Sequence, residues 1–230
     1  GNASSGIGIS SSEFNLSTYD VLLKKCEPKD AIIKTNSPNL DLIPANIDLV
    51  AIEIELIDIN ERERIFSKVL KNISNNYDFL IIDCPPSLGL ITLNALTASN
   101  SVIIPIQCEY YALEGLSALM QTIEKIKSGL NPELAIEGIL RTMYDPRNSL
   151  TVDVSTQLIT HFGDKVYGTV IPRNVRLAEA PSYGLPVLAY DKNSRGAIAY
   201  LALAGEMNRR TKSKKPAAKK TVNKKVTSQV

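Results

Sequence analysis

Ten residues near the middle of the chain constrain its fold more than any others: Tyr77-Asp78-Phe79-Leu80-Ile81-Ile82-Asp83-Cys84-Pro85-Pro86. Four apolar residues, Phe79 to Ile82, run straight into an acid, and two prolines close the run. A short all-apolar run bounded by turn residues fits a strand buried on both faces, the environment of a parallel sheet. Asp83 then falls at the strand's carboxyl end, where open α/β sheets place their ligand crevices. A carboxylate there is costly to desolvate unless a cation or hydrogen-bond donors meet it. A strand that simply ends in a helix-capping Asp is the plainer alternative.

The segments on either side repeat the strand–helix alternation. Upstream, 1–12 is rich in glycine and serine and reads as loop, 18–25 as a short helix capped by Ser17 or Thr18, and 31–35 and 40–44 as strand-like pieces around Ser37-Pro38-Asn39. Residues 47–56 carry apolar side chains at helical spacing, and 60–76 forms a longer amphipathic helix on Ile65, Val69 and Ile73. Downstream, helices are predicted over 88–98, 113–130, 152–162 and 195–210, with strands over 101–106, 136–143 and 166–171. Strands alternating with helices of this length imply an α/β fold, a mostly parallel sheet flanked by helices.

Charge divides the chain. Residues 211–230 hold seven lysines and no acid, so the body of 210 residues carries −5 beneath the overall +2. A mildly acidic domain, 1–210, with a Lys-rich tail, 211–230, expected to be disordered, suggests an accessory contact to a polyanion. The three cysteines, Cys26, Cys84 and Cys108, are far apart, which argues for a reducing compartment and against a disulfide or zinc framework. No apolar run reaches the ~18 residues of a membrane span. These features predict a cytoplasmic protein.

The chain does not begin with Met, opens as if in the middle of a flexible loop, and contains no G-x-x-x-x-G-K-[ST] phosphate loop. A fragment is the expectation.

Five stretches in order carry a resemblance. They are Gly1-Asn2-Ala3-Ser4-Ser5-Gly6-Ile7-Gly8; the run from Tyr77 through Asp83-Cys84-Pro85-Pro86 to Gly89; Asn94-Ala95-Leu96; Pro105-Ile106-Gln107-Cys108-Glu109-Tyr110-Tyr111-Ala112-Leu113-Glu114-Gly115; and Ile171-Pro172-Arg173-Asn174 through to Gly184. Together they closely resemble the ParA/Soj family of partition ATPases, the deviant-Walker P-loop group that also contains MinD. The resemblance implies a P-loop NTPase type of sheet with its N-terminal βαβ unit missing, because family members begin with a strand, a lysine-rich P-loop, a helix and a second strand ending in Asp-x-x-Gln. It covers nearly all of 1–208.

By that resemblance the cofactors are ATP and Mg²⁺. Asp83 would hold Mg²⁺ through water at the γ-phosphate, and phosphoryl transfer, being mostly positioning and charge stabilisation, needs such a carboxylate. Pro85 and Pro86 stiffen the following loop, the family's switch II. Gly1 and Asn2 match the end of switch I. Thr142, Met143, Pro172, Arg173 and Asn174 match the segments that hold adenine, though a rigid strand-to-helix turn also explains the last three. Arg173, Arg176, Lys192 and Arg195 match a basic surface that binds DNA without sequence preference; a solvated charged face is the alternative for each. Lys214, Lys215, Lys219 and Lys220 of the tail lie outside the resemblance and are assigned to DNA from charge alone. Tyr110, Tyr111 and Glu114 read as interface or switch-coupled residues, or as core and cap; His161 as a helix-end residue; Cys84 as packing behind the Asp83 loop.

The implied function is chromosome or plasmid partitioning: an ATP-bound homodimer on nonspecific DNA, associated with the nucleoid and not with membrane, with hydrolysis stimulated by a ParB-type partner. Two alternatives remain. One is a MinD-like positioning ATPase, although that subgroup ends in an amphipathic helix and this tail has only alanines and three valines as apolar residues. The other is a non-catalytic truncated fragment that binds neither ATP nor Mg²⁺.

Overall fold

The computed structural model describes residues 2–214. In chain order its elements are α1 (Asn2–Gly6), α2 (Thr18–Leu22), β1 (Ile33–Lys34), β2 (Asp41–Leu42), α3 (Ile52–Glu55), α4 (Ile65–Leu70), α5 (Leu90–Ala98), β3 (Ser101–Gln107), α6 (Ala112–Gly129), β4 (Ala135–Tyr144), α7 (Ser149–Phe162), β5 (Val166–Pro172), α8 (Val175–Glu179), α9 (Val187–Tyr190) and α10 (Arg195–Lys214). Short 3-10 turns link several of them.

The centre is a parallel sheet of three strands in the order β3-β4-β5. One face packs Ile104, Ile106, Ile139 and Val166 against α6 and α7 through Leu116, Ile123, Ile126, Val154 and Leu158. The other packs Leu140, Tyr167 and Ile171 against Leu203 of α10, with Leu177 of α8 alongside. Helices on both faces of a parallel sheet are the arrangement that the strand–helix alternation predicts, because each crossover helix must cover the sheet it spans. Pro105 lies in β3, an edge strand, where a missing N–H costs no central ladder bond.

A second cluster joins α2, α3, α4 and the start of α5 through Val21, Ile52, Leu56, Ile65 and Val69. Asn94 of α5, buried, knits it to the long 60–76 segment: its Nδ2 donates to the Arg62 carbonyl at 2.8 Å and its Oδ1 accepts from the Phe66 amide at 3.1 Å. That segment is not one helix. A 3-10 turn at Arg62–Arg64, α4 and a further 3-10 turn at Ser74–Asn76 divide it.

Further expectations are corrected. Phe79–Ile82 forms no strand, and Phe79, Leu80 and Ile81 are exposed, Ile81 at 84%. A strand exists only as a member of a ladder, and no described strand stands beside this run. Residues 1–12 are not all loop: Asn2–Gly6 is helical and a 3-10 turn at Ser11–Glu13 is capped by Ser10. Cys84 is exposed and not packed behind the Asp83 loop. The final helix runs on through Lys214, four residues past the foreseen end; Gly1, Lys215, Lys219 and Lys220 lie outside the described residues.

The N-terminal turn is fastened to the far end of the chain. Gly8 and Gly184 both have positive φ, +84° and +64°, and a Cβ on either would stand 2.7 Å from backbone of the other. Only two glycines allow this approach.

Candidate functional site

The carboxyl ends of β4 and β5 gather most of the expected base-binding residues. Tyr144 stands opposite Pro172, and the Arg173 amide donates to the Tyr144 carbonyl at 3.1 Å, so Thr142-Met143 and Pro172-Arg173-Asn174 end side by side. The Thr142 hydroxyl donates to the Ile106 carbonyl at 3.3 Å, which ties the group to β3. Met143 has φ of +51° and an exposed side chain. A non-glycine residue in the left-handed region is held there by its surroundings, at a cost of about 1–3 kcal/mol.

Asn174 precedes α8 with an extended backbone but makes no side-chain cap. Its Oδ1 is buried and has no hydrogen-bond partner among the described residues. A buried amide oxygen without a donor is costly, and a ligand N–H is one way to satisfy it. An adenine amino group has that chemistry, so these residues fit a purine base. Close by, Asp145 accepts from the Arg147 guanidinium at 2.7 and 2.9 Å and from its amide at 3.1 Å. The Arg147 side chain and amide, helped by Arg173, hold the Asp145 carboxyl down at about 2. The carboxylate beside these strand ends is thus ion-paired with Arg147.

Asp83 and Pro85 are exposed, in the irregular segment that precedes α5. Among the described residues Asp83 has no hydrogen bond or ion pair. No group of three or more His, Cys, Asp or Glu able to hold a metal occurs among the described residues. A single free carboxylate does fit Mg²⁺ of the nucleotide-bound kind, which keeps its waters and takes one or two carboxylates beside phosphate oxygens. Asn2 is the first residue of α1, exposed, its carbonyl accepting from the Ser5 hydroxyl at 3.2 Å.

The basic residues divide. Arg176 is engaged, pairing with Glu179 at 2.7 Å and Asp191 at 3.5 Å. Arg173, Lys192 and Arg195 are exposed, Arg195 at the start of α10. Lys214 ends that helix. Tyr110 and Tyr111, ahead of α6, are exposed and meet edge to face at 5.0 Å, which removes the core reading for both. His161 donates from Nδ1 to the Gln157 carbonyl at 2.8 Å in the last turn of α7, as a helix-end residue does.

Glu53 had no signal in the sequence. Its carboxylate accepts from the Leu90 amide at 3.0 Å and so caps α5, directly after the Asp83 segment. The two residues are 37 apart in the chain, beyond any local capping pattern.

Residues 1–136 match a family described as an AAA domain. The chain is 53% identical over 207 residues to the sporulation initiation inhibitor protein Soj of Bacillus subtilis, covering 90% of this chain and 82% of that one. It is 48% identical over 220 residues to the chromosome partitioning protein ParA of Caulobacter vibrioides, covering 95% and 82%. Among solved structures, a Mycobacterium smegmatis protein described as cobyrinic acid a,c-diamide synthase, with bound ATP analogue and magnesium, superimposes with a TM-score of 0.76 at 34% identity, over 91% of this chain and 78% of that one. The septum site-determining protein MinD of Pyrococcus horikoshii, complexed with Mg-ADP, does so with a TM-score of 0.71 at 25% identity, over 91% and 79%.

Proposed function

This chain belongs to the Soj/ParA family of chromosome-partitioning ATPases, and we propose that it takes the adenine of ATP between Thr142-Met143 and Pro172-Arg173-Asn174, with Asp83 facing the nucleotide's Mg²⁺. The observation that carries this reading is the buried, unpartnered Oδ1 of Asn174 at the joined ends of β4 and β5. Asn174 orients the base through its exocyclic amine. Main-chain groups of Thr142, Met143 and Arg173 border it, and Pro172 keeps the turn rigid. Asp83, unencumbered at the end of the apolar run, would hold the metal through water, while Pro85 limits the conformations of the loop that follows. The metal, when bound, neutralises phosphate charge that develops in transfer. Gly1 and Asn2 lie toward the phosphates in this reading.

The same proposal extends to partners. An ATP-bound homodimer presents Arg173, Lys192 and Arg195 to DNA without sequence preference, with Lys214, Lys215, Lys219 and Lys220 neutralising further phosphates. Arg176 contributes only when it leaves Glu179 and Asp191. A ParB-type partner stimulates hydrolysis and release, and the protein associates with the nucleoid in the cytoplasm. Among the described residues no helix is long and apolar enough to cross a membrane.

A second reading has its own observation. The exposed Phe79–Ile81 run favours a chain that binds no nucleotide by itself. Equilibrium binding of a fluorescent ATP analogue to the 230-residue chain separates the two. Magnesium-dependent binding weakened by Asn174→Ala and Asp83→Ala supports the ATPase reading; no binding at any magnesium concentration supports the second.

A further inference from the structure

Between β5 and α10 the chain presents two tyrosines as a stacked pair. The Tyr183 and Tyr190 rings lie 5.0 Å apart at an interplanar angle of 29°. Tyr190 is the fixed member: it closes α9, is half-buried, and its phenol donates to the Glu179 carboxylate at 3.2 Å. Tyr183 covers one face of that ring and leaves its own outer face bare. It is 65% exposed, and its hydroxyl makes no hydrogen bond among the described residues. Its backbone is held as well. Tyr183 ends a 3-10 turn that starts at the buried Ala180, and the next residue, Gly184, stands against Gly8. An exposed tyrosine is ordinary on any surface; one whose ring and backbone are both held is a platform.

The charges around the pair are sorted. From Arg173 to Arg195 the chain carries four cations, Arg173, Arg176, Lys192 and Arg195, and two carboxylates, Glu179 and Asp191. Arg176 pairs with both carboxylates, at 2.7 and 3.5 Å, so the acids beside the rings are neutralised from within the cluster. Arg173, Lys192 and Arg195 are exposed and have no ion pair among the described residues. The turn that carries Tyr183 packs against α8 and α9, and α10, which begins at Arg195, packs against the same two helices. Platform and cations therefore share one corner of the fold. Their combination matches a nucleic acid whose bases are free to stack. Phosphates meet the cations, and a base, which has a π-face whatever its identity, covers the Tyr183 ring. Bases inside a duplex stack on one another and present only their edges. An acidic peptide would use the cations and leave the ring bare; an apolar protein surface would cover the ring and bury unpaired cations.

We propose that Tyr183 is a base-stacking platform, through which this corner of the molecule binds single-stranded nucleic acid by its bases as well as by its phosphates. The stack on Tyr190 and the turn behind it hold the ring ready, so a base docks without first ordering the side chain. Arg173, Lys192 and Arg195 neutralise the neighbouring phosphates, and Arg176 removes the repulsion that Glu179 and Asp191 would exert on them. The inference rests on the reading above that these exposed cations face nucleic acid; the ring adds an affinity that a duplex does not receive.

The test uses the 230-residue chain and three probes of about ten nucleotides. One is an oligothymidylate with 2-aminopurine at alternate positions, one a duplex, and one an abasic deoxyribose-phosphate strand. Tyr183→Ala is expected to weaken single-strand binding about tenfold, the loss of one stacked base, and to leave the duplex and the abasic strand within about twofold. Tyr183→Leu, which still covers Tyr190 but has no π-face, is expected to behave as Tyr183→Ala does, and Tyr183→Phe as the parent. Binding to the parent is expected to quench 2-aminopurine fluorescence, and saturation of Tyr183→Ala is expected not to. Lys192→Gln with Arg195→Gln should weaken all three probes and lower the salt slope on single strands by roughly 0.7 for each phosphate released. Single-strand affinity unchanged in Tyr183→Ala, an equal loss on all three probes, or quenching that survives the substitution overturns the proposal. If the parent binds the single strand with Tyr183-dependent quenching but not the duplex, the duplex reading fails and the platform stands. If it binds the duplex, and the single strand no better than the abasic one, the platform fails and the duplex reading stands. If no probe binds, both fail.

Discussion

At the scale of single residues, charge and burial make two predictions. Burial alone would raise the Glu206 carboxyl; the Thr169 hydroxyl and amide, the Gly168 amide and Arg210 outweigh it and bring it down to about 2. A carboxyl lowered by folding stabilises fully above its ordinary value of 4.5, and that contribution disappears as pH falls toward 2. Glu206→Gln should therefore lower stability at neutral pH and flatten the acid limb between those values, seen as chemical denaturation midpoints collected across pH. Tyr167 is the opposite case. Its ring is fully buried and stacks under the Arg210 guanidinium at 4.2 Å, yet its hydroxyl has no partner. Burial, with the Glu137 carboxylate, pushes that phenol up to about 12. Tyr167→Phe keeps the ring and removes the unsatisfied group, so urea unfolding should show a change within about 0.5 kcal/mol or a gain.

Single elements show how far local sequence reaches. The later strands and helices follow their hydrophobic periods closely: α6 buries Leu116, Ile123 and Ile126 at helical spacing, and β3 alternates Ile104 and Ile106 inward. The Phe79–Ile82 run obeys the same rule and still forms no strand, because composition supplies the preference while a neighbouring strand supplies the hydrogen bonds. Ile81→Lys should accordingly cost less than about 0.5 kcal/mol in this chain, where a buried parallel strand would lose several; a melting curve decides. The site was legible to the same degree. Thr142, Met143 and Pro172–Asn174 could be named from the resemblance, and their adjacency followed from two parallel strands. The unpaired Oδ1 of Asn174, the pairing of Arg176 and the Glu53 cap could not be named, because each depends on residues that meet only after folding.

At the scale of the whole molecule, apolar surface and charge are unevenly spread. Ile47, Val50, Ile54 and Ile57 form an exposed stripe at steps of three and four, joined in exposure by Phe79, Leu80 and Ile81. Surface of that kind promotes association. The 230-residue chain should scatter light increasingly as it is concentrated, and Ile54→Lys with Ile57→Lys should suppress this; a sharp cooperative melt of soluble monomer would contradict it. The lysines of 211–230 should act through counterion release. Deleting them should reduce the slope of log DNA affinity against log salt by roughly 0.9 for each phosphate that they neutralise; an unchanged slope excludes them from the interface.

The sequence by itself determined the α/β class, the order of the strands and longer helices from 88 onward, though not the short α8 and α9, and the family. Those depend on period, on turn residues and on short motifs, which are properties of neighbours along the chain. Tertiary structure alone decided that Asp83 stands at the end of an exposed run instead of a buried strand, and that Arg141 and Glu206 bond backbone groups of β5 from opposite faces of the sheet. The strand required a partner that no described segment provides. Those bonds bring together two charged residues that stand 65 apart in the sequence, beyond the reach of any local pattern.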